Sequence, residues 1–538
     1  MLNDMTHGAL GLLFAYVLTL IGVAIGQRLR RRSSLRSLPQ ALLFALAALI
    51  VGAVLWAVIH RLDLLGLGKL RGTPLELLGM AFMLLVGLLT GLIGHLVLPQ
   101  PLGATLHRGT RLVDREPAPA HRPHGRETAS ALTLAGHPIP STDETKHFKL
   151  LGTTGTGKST AIRELLRGAL ARGDRAVIAD PDGSYLNAFY DPARGDVILN
   201  PFDSRAARWD LLAEIVQLHD ADQLARSIIP DYDGTDRSWR HYARIFLTAI
   251  LRQLHRLEDH DLAKLYWLLC IAPPAELREL LAATPAGPFL GEDNGKFFES
   301  VRSITTVHIA ALEHIARQET GEPLSVRRWV REGRGVLFLP YRAGEIAVLR
   351  YVVSTWMRLA LFETMNAPEG DQRLWFIVDE LDALGAIDGL KDALARLRKF
   401  GGRCVLGFQS IAQVRGTYGD AEAQTLVENC GNTLILRCSA SERGGTAEFA
   451  SRLIGEREII RPQITVSRPM RLGGSLLAQR TLSREHVVED AVLASEIEQL
   501  PDLTGLLKLA SQPEWRRITL SRTASVLDSF SGQDDHAL

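Results

Sequence analysis

Neither sign of charge dominates this sequence. Its 538 residues carry 61 basic and 60 acidic side chains, a formal net charge of +1. That balance excludes a blanket electrostatic affinity for nucleic acid; such contact needs a local basic surface. Cysteine is scarce. Cys270, Cys404, Cys430 and Cys438 lie in apolar segments without C-x-x-C spacing. Neither a disulfide framework nor a thiolate metal site is expected, and buried thiols in a reducing cytosol are. No H-E-x-x-H occurs among the 16 histidines. His308 and His314, beside Glu313, are spaced so that they share a helical face poorly, which argues against a metal site there. What is plentiful is apolar matter: 46% of residues are hydrophobic, ample for packed cores in a chain with room for several domains.

Against these absences stands His147-Phe-Lys-Leu-Leu-Gly-Thr-Thr-Gly-Thr-Gly-Lys-Ser-Thr160. It contains G-x-x-x-x-G-K-S, the phosphate-binding P-loop. Phe148, Leu150 and Leu151 read as a strand before it, and residues 161–170 are apolar at helical spacing after it. The loop Gly152, Thr153, Thr154, Gly155, Thr156, Gly157, Lys158, Ser159, Thr160 turns successive N–H groups toward one anion, and the helix N-terminus adds its dipole. Lys158 is expected to reach the β/γ-phosphates of ATP and Ser159 to hold Mg²⁺.

The N-terminal region reads as membrane. Residues 8–26, 41–59 and 77–94 carry no charged side chain and suit three transmembrane helices, 8–26, 41–59 and 77–98, within a region 1–98. A signal peptide is disfavoured for the first, which lacks a basic leading region; two genuine spans remain an alternative. Connector 27–40 holds Arg28, Arg30, Arg31, Arg32 and Arg36 and no acid, so it is expected on the cytoplasmic side, with everything beyond residue 99. Residues 99–145, rich in Pro, His, Arg and Gly, read as a linker or a peripheral strand-and-loop layer. A nucleotide-binding domain then starts at 146. Its first part, 146–205, holds strands at Arg175–Asp180 and Asp196–Pro201. From 206 to 325 strand-like runs vanish and helical periodicity takes over, an all-α insertion. The second part, 326–515, follows, with a tail 516–538.

In that second part Leu374–Val378 runs into Asp379-Glu380, the Walker B pattern: Asp379 for Mg²⁺ and Glu380 to orient the attacking water. Gln409 ends the strand of Cys404–Phe408, as a γ-phosphate sensor or a plain strand cap. Arg398 precedes that strand, as a positive charge for the transition state or a solvated basic helix end. Parallel strands with crossover helices make a doubly wound α/β sheet, with the nucleotide at the strands' carboxyl ends.

Together these residues resemble the TraG/TraD-type coupling proteins of type IV secretion and conjugation, ring ATPases related to RecA and to the FtsK/HerA translocases. The resemblance covers roughly 140–512. It rests on Glu144-Thr145-Lys146-His147, Gly152–Ser159, Asp180-Pro181-x-Gly183, Asn200-Pro201-Phe202-Asp203 then Trp209, the insertion, Asp379-Glu380, Gly407-Phe408-Gln409-Ser410 and Leu500-Pro501-Asp502-Leu503. It implies a RecA-like P-loop ATPase core with an inserted all-α domain that receives substrate. It also implies a homo-hexamer in the bacterial inner membrane, multi-pass with its ATPase domain cytoplasmic, in which Arg398 acts as a trans-acting arginine finger. Gln409 becomes the group that couples hydrolysis to movement. The implied partners are single-stranded DNA with its relaxase and the components of a type IV secretion channel.

Such proteins usually show two membrane spans where three are counted here. The long acidic tails of some relatives have no counterpart in Ser529–Leu538, which leaves the docking partner open. Export of protein effectors without DNA is the alternative function. A septal or chromosomal DNA pump is opposed by the insertion and by Asn200–Asp203. A nucleotide-gated receptor or scaffold with little turnover is opposed by Glu380 and Gln409.

Overall fold

The computed structural model describes Leu85 and residues 104–113, 132–231, 235–441, 445–467 and 479–521. The expected spans 8–26, 41–59 and 77–98 lie outside the described residues except for Leu85, as does 522–538 of the expected tail. Among the described residues no helix is long and apolar enough to cross a membrane. The chain divides into two units, residues 1–105 with 460–487, and residues 106–459 with 488–538. In the first, parts of two long strands, Glu456–Ser467 and Gln479–Asp490, are described.

The second unit is built on a ten-stranded sheet. In chain order its strands are β1 (Leu112–Val113), β2 (Phe148–Leu151), β3 (Arg175–Pro181), β4 (Val197–Ile198), β5 (Val336–Tyr341), β6 (Leu374–Val378), β7 (Gly402–Phe408), β8 (Asn432–Ile435), β9 (Thr504–Lys508) and β10 (Trp515–Thr519). Their order across the sheet is β1-β10-β9-β8-β2-β7-β6-β3-β5-β4. From β8 to β4 all neighbours are parallel. Beyond β8 the sheet turns antiparallel through β9 and β10. That extension was not anticipated, and it carries the sheet through Thr519, past the expected end of the core at 515. Buried on both faces, the central strands read as continuous apolar runs, as parallel strands do.

Alternation sorts the two faces. Trp375 and Ile377 of β6 join Ile178, Val405 and Phe148 in one core, where helix α1 (Lys158–Ala171) lays down Ala161, Ile162, Leu165, Leu166 and Ala169. Leu374, Phe376 and Val378 face the other core with Val177, Leu406 and Phe408. There the long helix after β5 (Ile346–Asn366) buries Leu349, Val353, Trp356 and Ala360. The periods of two and 3.6 residues interlock.

The insertion leaves and returns through a short parallel pair, Arg208–Trp209 with Pro323–Leu324. Between them lie α2 (Leu218–Ile228), α3 (Arg237–Arg256), α4 (Leu262–Cys270), α5 (Pro274–Leu281) and α6 (Gly295–Ala316). Trp209, of the motif read from the sequence, is buried edge-on against Trp356 (5.6 Å between centroids) and donates to Glu214 Oε1 (2.9 Å). Thr355 Oγ1 donates to Ser227 O (2.9 Å), and the buried Arg358 donates to Ser227 Oγ (2.8 Å) and to Asp388. The insertion is thereby tied to the long helix Ile346–Asn366 by polar as well as apolar contacts.

Candidate functional site

The seven parallel strands of the sheet end at one edge, and the residues at or after the carboxyl ends of β2, β3, β5, β6 and β7 converge. β2 leads into the P-loop, whose curvature depends on Gly155 (φ +78°) and Gly157 (φ +118°). At Gly157 a Cβ would also meet Leu503 Cδ2 at 3.0 Å and Leu520 Cδ1 at 3.1 Å. Neighbouring chain braces the loop: Gly152 N donates to Phe408 O (3.1 Å), Thr153 N to Arg437 O (2.9 Å) and Leu503 N to Thr156 O (2.9 Å). The Leu500–Leu503 motif, noticed in the sequence without a role, is thus a wall of the P-loop. Arg437 gives the loop its backbone carbonyl, while its guanidinium pairs with Asp502 (2.7 Å).

Lys158 Nζ lies over the loop, donating to Gly152 O (2.6 Å) and Thr153 O (3.2 Å). Burial lowers its pKa, and Asp379 and Glu380 oppose that shift. Ser159 Oγ donates to Asp379 Oδ2 (2.7 Å), and the buried Tyr185 hydroxyl donates to the same oxygen (2.8 Å). Asp379 Oδ1 is buried without a hydrogen-bond partner among the described residues. An orphaned carboxylate oxygen beside a serine hydroxyl is an all-oxygen donor set, and it fits a hard divalent cation such as Mg²⁺.

Glu380 is half-buried, and its pKa is raised by burial first and then by Asp379 and Asp382. Gln409 bridges it to the P-loop: Nε2 donates to Glu380 Oε1, and Oε1 accepts from Thr154 Oγ1 (3.1 Å). The bridge exists because β7 lies between β2 and β6. Gly407 makes it possible, since a Cβ there would sit 2.0 Å from Asp379 O. Two tyrosines escaped the reading of the sequence. Tyr185 follows the Asp180–Gly183 turn, where Asp180 accepts from Tyr185 N (3.0 Å) and Leu186 N (2.7 Å); burial pushes the Asp180 carboxyl up to about 6. Tyr341 ends β5 with its buried hydroxyl unpartnered among the described residues, and burial and the nearby Glu380 and Asp379 raise its pKa. The turn motif was the available signal for Tyr185; nothing local marked Tyr341.

Arg398 is not brought to this edge. It is exposed in the turn Leu397–Phe400, at the amino end of β7, roughly 20 Å of strand from Gln409. There it lines a cleft of about 330 Å³ with Arg172, Arg373 and Lys399. The Glu144–His147 motif is structural scaffolding at the same end of the sheet: Glu144 accepts from Arg172 (2.6 Å) and Arg403 (3.0 Å). His308 is packed on Tyr351 (4.4 Å), and His314 on Phe202 (4.9 Å), so the two face different partners. The four cysteines are free thiols; Cys404, Cys430 and Cys438 are buried and Cys270 is partly so.

The chain is 33% identical to the coupling protein TraD of Escherichia coli K12 over 390 residues, which is 71% of this chain and 53% of that one. It is 25% identical to the type IV secretion system-coupling protein VirD4 of Bartonella quintana over 341 residues, 59% of this chain and 50% of that one. It thus spans about half the length of these curated relatives. Among solved structures it matches the plasmid coupling protein TrwB in complex with ADP and Mg²⁺, with TM-score 0.67 and 30% identity, covering 79% of this chain and 97% of that one. TrwB bound to a non-hydrolysable ATP analogue matches with TM-score 0.66 and 30% identity, covering 78% of this chain and 96% of that one. The profile of the type IV secretion-system coupling protein DNA-binding domain matches residues 131–521. With a RecA-like sheet, a P-loop and an acidic strand end meeting at one edge, the chain belongs to the family of type IV secretion-system coupling proteins.

Proposed function

We propose that this protein is an ATP-hydrolysing coupling protein that works as a hexamer at the bacterial inner membrane and passes relaxase-bound single-stranded DNA to a type IV secretion channel. The observation that carries the enzymatic part is the Thr154–Gln409–Glu380 bridge next to Ser159 and Asp379. The P-loop, residues 152–160, holds the triphosphate, and Lys158 turns from the loop carbonyls to the β/γ-phosphates. Ser159 holds Mg²⁺, with Asp379 behind it. Bound there, the ion neutralises charge on the phosphate oxygens. Glu380 orients the water that attacks the γ-phosphorus, and its raised pKa makes it a better proton acceptor. Gln409 touches loop and carboxylate together, so a change at the γ-phosphate reaches β7 through one side chain. The DNA-binding description of the matched family supports nucleic acid as the cargo, and the uncharged N-terminal runs support the membrane location.

The test is hydrolysis by assembled protein, with and without single-stranded DNA. Lys158→Ala should lose turnover through weakened phosphate contacts. Glu380→Gln should keep ATP binding and lose turnover by about 10² or more. Wild-type turnover in Glu380→Gln removes the assigned role.

A further inference from the structure

We propose that the helical insertion carries a docking cleft for an acidic, partly apolar peptide segment of a partner protein, separate from the nucleotide site. The cleft encloses about 470 Å³ between α2, α3 and the turn at Ala283–Pro285. Arg226 of α2 and Arg244, Arg252 and Arg256 of α3 line it. On α3 these positions, continued by Arg237 and His241, recur at helical spacing, so a single helix face supplies most of the positive charge. Among the described residues few carboxylates oppose it. Asp231 is shared among Arg226 (3.9 Å), Arg237 (3.5 Å) and Arg244 (3.3 Å). Asp222 pairs with Arg252, and Asp388 approaches Arg226 at 3.5 Å. Among the described residues five arginines therefore meet three aspartates, one of which, Asp388, is shared with Arg358 (3.1 Å), and an anion is attracted.

Three features select a peptide among anions. Ile245, Ala249, Ala283 and Pro285 contribute an apolar floor, which suits alternating acidic and aliphatic side chains. Among the described residues His241 is the one aromatic side chain lining the cleft, with no phenyl, phenol or indole ring, whereas single-stranded nucleic acid is held by stacking bases on aromatic rings. Arg244 is set deep: its side chain is 12% exposed and it donates to Ile229 O (3.2 Å). A planar donor fork at that depth matches an inserted carboxylate better than a phosphodiester running across a rim. Asp222 and Asp231 occupy the places that peptide carboxylates take when they enter. The inference gives the proposed transport role a class of cargo or adaptor; it rests on that role for its purpose and not for the binding.

The experiment titrates full-length protein into three fluorescein-labelled probes and follows anisotropy. One is an octapeptide of mixed Glu and Leu, the second its Gln-for-Glu analogue, the third an oligothymidylate. The acidic peptide should bind, and the Gln analogue should bind at least about 10-fold more weakly. Arg252→Glu and the exposed Arg256→Glu should each weaken the acidic peptide about 10-fold, and Asp222→Asn should tighten it. Equal affinity in Arg256→Glu and wild type overturns the proposal, and so does absence of peptide binding. Binding of the oligothymidylate alone, lost in the same variants, overturns it in favour of nucleic acid. A fluorescent ATP analogue titrated into each preparation reads the nucleotide site and the integrity of the fold independently.

Discussion

Asp379 receives two hydroxyl donors on one oxygen and none on the other, which makes its neighbours worth separating. Ser159 is legible from the P-loop pattern. Tyr185 is not, since a tyrosine after a turn carries no local mark of the carboxylate it will meet. Tyr185→Phe removes the 2.8 Å bond to Asp379 and keeps the ring that lies under Arg163. We expect the Mg²⁺ concentration needed for half-maximal hydrolysis to rise about 10-fold, as when an outer partner of a metal ligand is lost. Metal-free nucleotide binding should be unchanged. An unaltered Mg²⁺ requirement means that Tyr185 is only packing. His147 gives a second test. Its Nδ1 accepts from Cys404 N (3.1 Å) and its Nε2 donates to Leu394 O (2.9 Å), so the native state holds it neutral. Burial pushes its pKa from 6.5 down to about 4. Below the unfolded value the unfolded chain binds the extra proton; stability present above pH 6.5 is lost as the pH falls toward 4. Between pH 7 and pH 5 wild type should lose about 2 kcal/mol more than His147→Phe in denaturant titrations. Equal losses contradict the assignment.

At the scale of elements, β7 decides the site. It separates the P-loop strand β2 from the Walker B strand β6, and its terminal Gln409 therefore reaches both. The close approach at Gly407 is the condition for this arrangement, because the backbone of Asp379 occupies the space of a side chain. Gly407→Ala should force β6 and β7 apart, at a cost of about 3 kcal/mol, and should lower hydrolysis more than nucleotide binding. A melt and a rate like those of wild type would show that the strands absorb a methyl group without moving. The glycine was visible in the sequence as part of a motif. Its reason was not, since the clash is with a residue 28 positions earlier in the chain.

For the whole molecule, the position of Arg398 is informative. The site edge and this arginine lie at opposite ends of β7, so one chain does not supply Arg398 to its own phosphates. If it completes a neighbour's site, Arg398→Ala should leave ATP binding nearly intact and reduce turnover by about 10³. Mixing Arg398→Ala subunits with Glu380→Gln subunits should then restore part of the activity at mixed interfaces. Normal turnover by Arg398→Ala in a verified hexamer assigns it to a solvated turn instead. Arg437, the next candidate, is already engaged with Asp502.

What could be read without coordinates was whatever is local. The P-loop, the apolar run into Asp379-Glu380 and the helical insertion announce themselves within a dozen residues, because backbone geometry and periodicity are short-range, whereas the run Asp196–Pro201, read as a strand, keeps only Val197–Ile198 in the sheet. The uncharged runs before residue 98 belong to the same class. Tertiary structure alone decided which strand lies beside which, and with it the Gln409 bridge, the wall that Leu503 and Leu520 build against Gly157, and the distance of Arg398 from Lys158. Tyr185 joined Asp379 by the same route, across a separation of 194 residues. The antiparallel strands β9 and β10 were missed for a related reason. A short buried segment at a sheet's flank has no period of its own, and its partner is chosen by the edge that the parallel strands leave unpaired.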